Sequence, residues 1–345
     1  MAFHLLAHAF EPGDAKFAQA FAQHQSFKKL LPMLSKRSQS KELALSLPPG
    51  ELQNIAERSL SQLEQLGIRI ITLLDDDYPV LLREALEPPL GFYLLGQLPR
   101  AFPLAIVGTR KAGHYGLNLA RTFAADLARV GATVVSGLAY GIDQAAARGA
   151  LDGGGQTIAV LGEAIDLVLK SPKGNLAKEI VAHGGGIISE HPPGKPGSKA
   201  SFPLRNRIIA GLCRGTIVIE APIDSGALIT ARHALESNRE VFVVPGELTN
   251  QNFAGSHRLI QQGAKLVTRI EDILTEFDFS APTELRTLEL APQEQTLCDL
   301  LRQNALTLLE LQTETELATG ELLALLTHLE IRGVVKNVGG KFTAT

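Results

Sequence analysis

An α/β fold is predicted: an extended Rossmann-like parallel sheet flanked by an N-terminal helical domain and a C-terminal winged-helix-like domain. From about Pro103 to Leu274, short apolar segments alternate with helical segments of about 10 to 15 residues. The apolar segments are "LAIVG", "ATVVSG", "TIAVLG", "GGIISE", "TIVIEA", "EVFVVPG" and "AKLVT". They are apolar on both sides and mostly followed by glycine. Strands buried on both faces, with helices between them, belong to a doubly wound parallel sheet. The flanking regions lack this alternation, which places the domains at 1–66, 67–278 and 285–345.

The N-terminal region reads as helices: "AKFAQAFAQH", "FKKLLPMLSK" and "GELQNIAERSLSQLEQLG", the last stopping at Gly67. His4, His8 and His24 share no spacing that suits a metal site. A strand over Ile68–Leu73 and an acidic turn follow. Tyr78-Pro79 and Pro88-Pro89 then hold extended or turning backbone around a short helix. At the far end, "PQEQTLCDLLRQ", "TLLELQTET" and "ATGELLALLTHLEIRGVV" read as three helices, and "VVKNVGGKFTAT" as a hairpin turning at Gly339-Gly340. Three helices and a β-wing suggest a winged helix. Its third helix carries Glu321 and no Lys or Arg between Gly320 and Leu329, which favours packing or partner contacts over reading DNA.

A length of 345 residues suits about two or three domains. No run of about 18 apolar residues occurs, so no transmembrane helix is expected. The opening "MAFHLLAHAF" lacks the basic start and cleavage site of a signal peptide. Cys213 and Cys298 form no C-x-x-C pair, so neither a disulfide framework nor a zinc site is expected. A cytoplasmic location is the expectation. The net charge of −3 is unevenly spread. Residues 100–214 hold 14 Lys/Arg and 7 Asp/Glu, and residues 271–345 hold 5 and 13. The middle is basic and the tail acidic, which suits an anionic ligand in the middle.

Ligands of open parallel sheets bind beyond the carboxyl ends of the strands. The first such loop is "GTRKAGHYG". Gly108, Gly113 and Gly116 allow close approach, the helix start offers N–H groups to a phosphate, and Arg110 and Lys111 add charge. The spacing is neither G-x-G-x-x-G nor G-x-x-x-x-G-K-[ST], and no acidic residue stands ready for a ribose after "TVVSG". No cofactor is expected. In "SGLAYGID", Ser136 is a phosphate hydrogen-bonding candidate beside Gly137, and Asp143 a helix cap. Lys170 and Lys173 are mobile point charges on another loop. A loop rich in proline and glycine, with Lys195 and Lys199, leads to "FPLRNRIIAGL". There Arg205, Asn206 and Arg207 stand where a helix begins, a placement an anion would offset. Phe202 is either a stacking surface for a base or a buried anchor. Glu220 and Asp224 suit either a carboxylate pair for glycosidic chemistry or the orientation of basic side chains. No catalytic constellation or metal-ligand cluster is evident.

The stretches "IVGTRKAGHYG", "VVSGLAYGID", "TIAVLG", "IISEHPPG", "FPLRNRIIAGL", "IEAPIDSGALITARHALE", "VFVVPGEL" and "LIQQGAKLV" resemble, in order and spacing, the DNA-processing protein A family (DprA, also called Smf). The upstream "DDDYPVLLREALEPP" is similar to that family's entry into its Rossmann-like domain. The resemblance covers about Ile68 to Leu274, and "FP-x-RNR-II-x-GL" is its most specific piece. It implies a protein that binds single-stranded DNA during natural transformation, protects it, loads the RecA recombinase on it, forms a homodimer and is not an established enzyme. Arg110, behind Gly108 and Thr109, matches the arginine of the family's G-[ST]-R motif, and Arg205 and Arg207 match its RNR pair. The chain departs from the family pattern at Tyr140, Ala147, Leu169, Lys170 and Lys173, and its N-terminal helices lack a glycine hairpin.

The expected DNA site is Gly108, Thr109, Arg110, Lys111, Gly113, Ser136, Gly137, Lys170, Lys173, Phe202, Arg205, Asn206 and Arg207, with Tyr140 a second stacking surface. Leu259 and Ile260 are candidate dimer-face residues, although core packing accounts for their apolarity equally well. Two alternatives stand beside this reading. One is an enzyme hydrolysing the glycosidic bond of a nucleotide, with Glu220 and "DSGALIT" as its signature. The other is a scaffold that recruits recombinase without touching DNA.

Overall fold

A computed structural model describes residues 49–279, 291–315, 317–331 and 334–344. The helices expected before residue 49 lie outside these residues, as do His4, His8 and His24. The chain forms two compact units, divided between Pro282 and Thr283.

The first unit is built on nine strands: β1 (Ile68–Thr72), β2 (Gly91–Gly96), β3 (Pro103–Val107), β4 (Thr133–Ser136), β5 (Thr157–Leu161), β6 (Gly186–Ser189), β7 (Gly215–Val218), β8 (Glu240–Val243) and β9 (Lys265–Leu266). Their order across the sheet is β1-β2-β6-β5-β4-β3-β7-β8-β9. Strands β3 to β9 are parallel, as the buried apolar runs predict. The β1–β2 hairpin adds to β6 antiparallel. Strand β2 was not anticipated behind Pro88-Pro89. Its Phe92 and Leu94 are buried in the core on one face of the sheet and its Tyr93 in the core on the other.

Side chains alternate between the two faces. Ala105, Val107, Ile158, Val160 and Val218 pack on α7 (Ser201–Gly211) and α8 (Gly226–Glu236). Leu104, Ile106, Val134 and Ile217 pack on α3 (His114–Arg129) and α4 (Ile142–Asp152). The remaining helices of this unit are α1 (Pro49–Leu66), α2 (Val80–Arg83), α5 (Ile165–Leu169), α6 (Gly174–Ala182), α9 (Ala254–Gln261) and α10 (Glu271–Leu274). Helix α1 stops at Gly67, whose φ of +65° suits a glycine C-cap. Its Leu63 is buried with Ile68, Tyr93 and Ile187, so this last helix of the expected N-terminal domain packs into the sheet unit.

The second unit contains α11 (Pro292–Gln303), β10 (Leu306–Thr307), α12 (Leu308–Thr315), α13 (Thr319–Ile331), β11 (Val335–Val338) and β12 (Lys341–Ala344). Its sheet runs β10-β12-β11 over a core that includes Leu297, Leu311, Leu326 and Phe342. Gly339 and Gly340 turn the wing with φ of +61° and +86°. This is a winged helix, with the short β10 added to the expected elements. Among the described residues no helix is long and apolar enough to cross a membrane.

Candidate nucleic-acid interface

The chain enters the parallel sheet at β3, adds β4, β5 and β6 to one side, then returns to place β7 on the other. The loops after β3 and β7 therefore diverge at a topological switch point, where open sheets hold ligands. A cleft of about 550 Å³ opens there, lined by residues 107–111, Ala139, Asp143, Lys199, Phe202, Pro203, Arg205, Asn206, Ile209, Pro222, residues 224–227 and Thr230.

The loop after β3 is pinned through its backbone. The Thr109 N–H donates to the Glu220 carbonyl (2.7 Å), and the Thr109 carbonyl accepts from the Ile142 N–H (3.3 Å). Thr109 Oγ1 accepts from the Lys111 N–H at 3.2 Å. Arg110 and Lys111 are exposed. The Arg110 guanidinium lies over the Phe202 ring, 5.3 Å from its centroid, a cation–π contact that aims the charge at the cleft. Phe202 is thus both half-buried anchor and platform, with a cation already on its ring.

The floor is a buried charge network. Arg205 donates from Nη1 to the carbonyls of Gly137 and Val160, and from Nε to Asn206 Oδ1 (3.1 Å). Burial pulls its pKa down to about 10, with Asp143 opposing and Arg110 adding to the fall, so it stays charged at neutral pH. Asp143 accepts from the Gly137 N–H (3.1 Å) and the Ala139 N–H (3.3 Å), which fixes the turn around Leu138 and its φ of +55°. Burial pushes the Asp143 carboxyl up, and Arg205 opposes the shift. Asn206 Nδ2 donates to the Gly226 carbonyl at 3.1 Å and ties α7 to α8. Ser225 caps α8, its Oγ accepting from the Ala227 N–H at 3.2 Å. Ser225→Ala is expected to lower stability by about 1 kcal/mol, read by urea unfolding.

Several expected site residues serve the fold instead. Helix α7 begins at Ser201, so Arg205 and Arg207 lie beyond its first turn and do not oppose its dipole. Arg207 is 4 % exposed and absent from the cleft lining. Its Nη2 bonds both Glu190 carboxylate oxygens at 2.7 Å, and its Nη1 bonds the Glu87 carbonyl at 2.9 Å. Ser136 Oγ donates to the Ile106 carbonyl at 2.7 Å, inside the sheet. Gly137 holds Arg205 and Asp143 through its backbone. The start of α3 is occupied by a carboxylate of the chain itself: the Gly113 N–H donates to Glu220 Oε1 and Oε2 at 3.1 and 3.2 Å. Asn252 Nδ2 holds the same Oε1 at 2.6 Å. A Cβ on Gly116 would stand 2.0 Å from Glu220 Oε2, so the third glycine of the loop makes room for this carboxylate rather than for a phosphate. Glu220 is 1 % exposed and does not line the cleft, so it is not placed as a hydrolytic acid beside Asp224.

Lys173 is paired with Glu163 at 3.3 Å, and Lys170 is exposed at the end of α5; neither lines the cleft. Leu259 and Ile260 pack against the core, which accounts for their apolarity inside the chain. Tyr140 is 55 % exposed, immediately after Ala139 of the lining. Lys199 is a further lining cation, outside the set of site residues expected from the sequence. Its signal was its place three residues before Phe202 on a proline- and glycine-rich loop. Among the described residues no group of three or more His, Cys, Asp or Glu is arranged to hold a metal ion.

A doubly wound sheet with side-chain cations at its switch point, a carboxylate sealing the start of α3, and a winged helix in the same chain define a Rossmann-like α/β protein with a cationic cleft. Residues 69–278 match the family described as DNA recombination-mediator protein A, and residues 281–341 match the DprA winged helix domain. The chain belongs to the DNA recombination-mediator protein A family. It is 42 % identical over 225 residues to protein Smf of Escherichia coli, covering 65 % of this chain and 60 % of that protein. It is 43 % identical over 211 residues to DNA processing protein DprA of Streptococcus pneumoniae, covering 60 % and 74 %. The solved structure of the S. pneumoniae protein superposes with a TM-score of 0.57 at 38 % identity, over 68 % of this chain and 83 % of that one. DNA processing protein A of Helicobacter pylori, whose structure was determined for its single-stranded DNA binding mode, gives 0.54 at 28 % identity, over 62 % and 97 %.

Proposed function

We propose that this chain binds single-stranded DNA in the cleft at the β3–β7 switch point, chiefly through phosphate charge and base stacking. One observation carries the reading. Arg110, Lys111 and Lys199 converge on the cleft, and none has a carboxylate partner among the described residues. Several other cations of this unit are ion-paired, as in Arg121–Asp152, Arg148–Glu179, Lys173–Glu163 and Arg207–Glu190. Three uncompensated cations beside a buried fourth attract a polyanion. The stacked Arg110–Phe202 pair and exposed Tyr140 offer surfaces on which bases of any identity stack. A cleft of about 550 Å³ between loops suits a flexible strand better than a stiff duplex. The single-stranded DNA binding described for the H. pylori relative supports the same ligand class.

Family membership supports a wider role, in which the bound strand is incoming DNA in natural transformation, protected by a homodimer and handed to the RecA recombinase. Of the residues proposed from the sequence, Gly108, Thr109, Arg110, Lys111, Phe202, Arg205 and Asn206 line the cleft, together with Lys199.

The test is fluorescence anisotropy of a labelled single strand and its duplex over a salt series. With three phosphates neutralised, the slope of log affinity against log salt is expected to be about −2. Arg110→Ala is expected to weaken strand binding about tenfold and to flatten the slope by about 0.7. Equal binding by wild type and variant, or preference for duplex, would overturn the proposal.

A further inference from the structure

We propose that Asp224 reads the edges of bases in the cleft and biases the protein towards strands containing guanine. This rests on the reading of the cleft as a single-strand site. The lining holds two carboxylates. Asp143 is buried and spent on the Gly137 and Ala139 N–H groups. Asp224 is exposed, and it forms no hydrogen bond or ion pair with another described residue. An acid in a site for a polyanion repels phosphate, so its position reports which part of the strand it faces. The cations come from the loop after β3 and the approach to α7. The wall made by the start of α8 contributes Pro222, Asp224, Ser225, Ala227 and Thr230, and no cation. Phosphates have partners on the first side only, which leaves bases to meet Asp224.

A carboxylate accepts hydrogen bonds and donates none. The Watson–Crick edges of a single strand are free to meet it. Guanine presents N1–H and N2–H₂ side by side, the paired donors that a carboxylate takes with both oxygens. Cytosine and adenine present one amino group each. Thymine presents N3–H between two carbonyl oxygens, which repel the carboxylate. The expected ranking is therefore guanine first and thymine last. Asp224 also precedes the Ser225 cap of α8, where a negative charge favours the helix dipole. That structural role alters stability equally for every strand and leaves the ranking of bases untouched.

The experiment measures binding of three labelled strands to the full chain by anisotropy, in lithium buffer so that guanines do not self-associate: thymine alone, cytosine alone, and guanine alternating with thymine. Wild type is expected to bind the guanine strand about five- to tenfold tighter than thymine. Asp224→Asn and Asp224→Ala are expected to bring that ratio within about twofold and to tighten binding of thymine, because the repelling charge is gone. Salt-sensitive wild-type binding with no base preference, or a preference unchanged in both variants, overturns the role of Asp224 alone. Failure of wild type to bind any strand, or binding indifferent to Arg110→Ala, overturns the reading of the cleft and this inference with it.

Discussion

Arg207→Ala is expected to lower the unfolding free energy by about 3–5 kcal/mol, because it leaves the buried Glu190 carboxylate uncompensated. The side chain is 4 % exposed, and its pair with Glu190 is bidentate at 2.7 Å. It also holds the Glu87 carbonyl, and so the proline-flanked entry segment, against α7. Burial alone pushes the Glu190 carboxyl up, and Arg207 is what opposes it. Without Arg207 the folded-state pKa rises further above the unfolded one. The protonated form then supports folding below the unfolded pKa, and that support is lost as pH rises through the folded pKa. The deficit of the variant therefore widens from acid to neutral pH. The double variant Arg207→Met with Glu190→Leu is expected to recover most of the loss. Urea unfolding of the three proteins at acid and neutral pH checks this. A fully stable Arg207→Ala protein that no longer binds a strand would return this arginine to the ligand.

Gly141→Ala is expected to lower stability by about 2–6 kcal/mol, combining about 1–3 kcal/mol of backbone strain with about 1–3 kcal/mol of overpacking. Gly141 precedes α4 with φ +83° and ψ −130°, a conformation that only glycine adopts without strain. An added Cβ would stand 2.4 Å from the Thr109 carbonyl oxygen and 2.9 Å from Arg110 Cα. Those are backbone atoms of the loop that carries Arg110 and Lys111. Protein that still folds relieves the clash by moving this loop, so strand affinity is expected to fall as well. Chemical denaturation and anisotropy on the same preparation read both effects. Stability within about 1 kcal/mol of wild type, with affinity intact, would show that the loop is not held as described.

Legibility in the sequence followed the range of the interactions. The parallel strands are doubly buried, so they announce themselves as short apolar runs before glycine, and the helices between them keep a period of their own. The two-glycine turn of the wing is equally local. Strand β2 carries the same kind of apolar run before a glycine, but Pro88-Pro89 directly ahead of it reads as a turn, and its antiparallel place between β1 and β6 depends on β6, about 90 residues away. The same limit divided the site. Arg110 and Lys111 were legible because a basic pair on a strand-to-helix turn is a local signal, and their exposure needs no distant partner. Arg205 and Arg207 look alike in sequence, two residues apart. Helical geometry turns them to different sides, one beneath the cleft and one onto Glu190. Glu220 lies 107 residues from the Gly113 N–H it accepts, so only the return of the chain to β7 could reveal that the glycine loop encloses a carboxylate of its own. The sequence by itself determined the two architectures and the sign of the charge offered to a ligand. Which cations stay free to offer it was decided by the tertiary structure, because neutralisation depends on carboxylates that the fold brings from elsewhere.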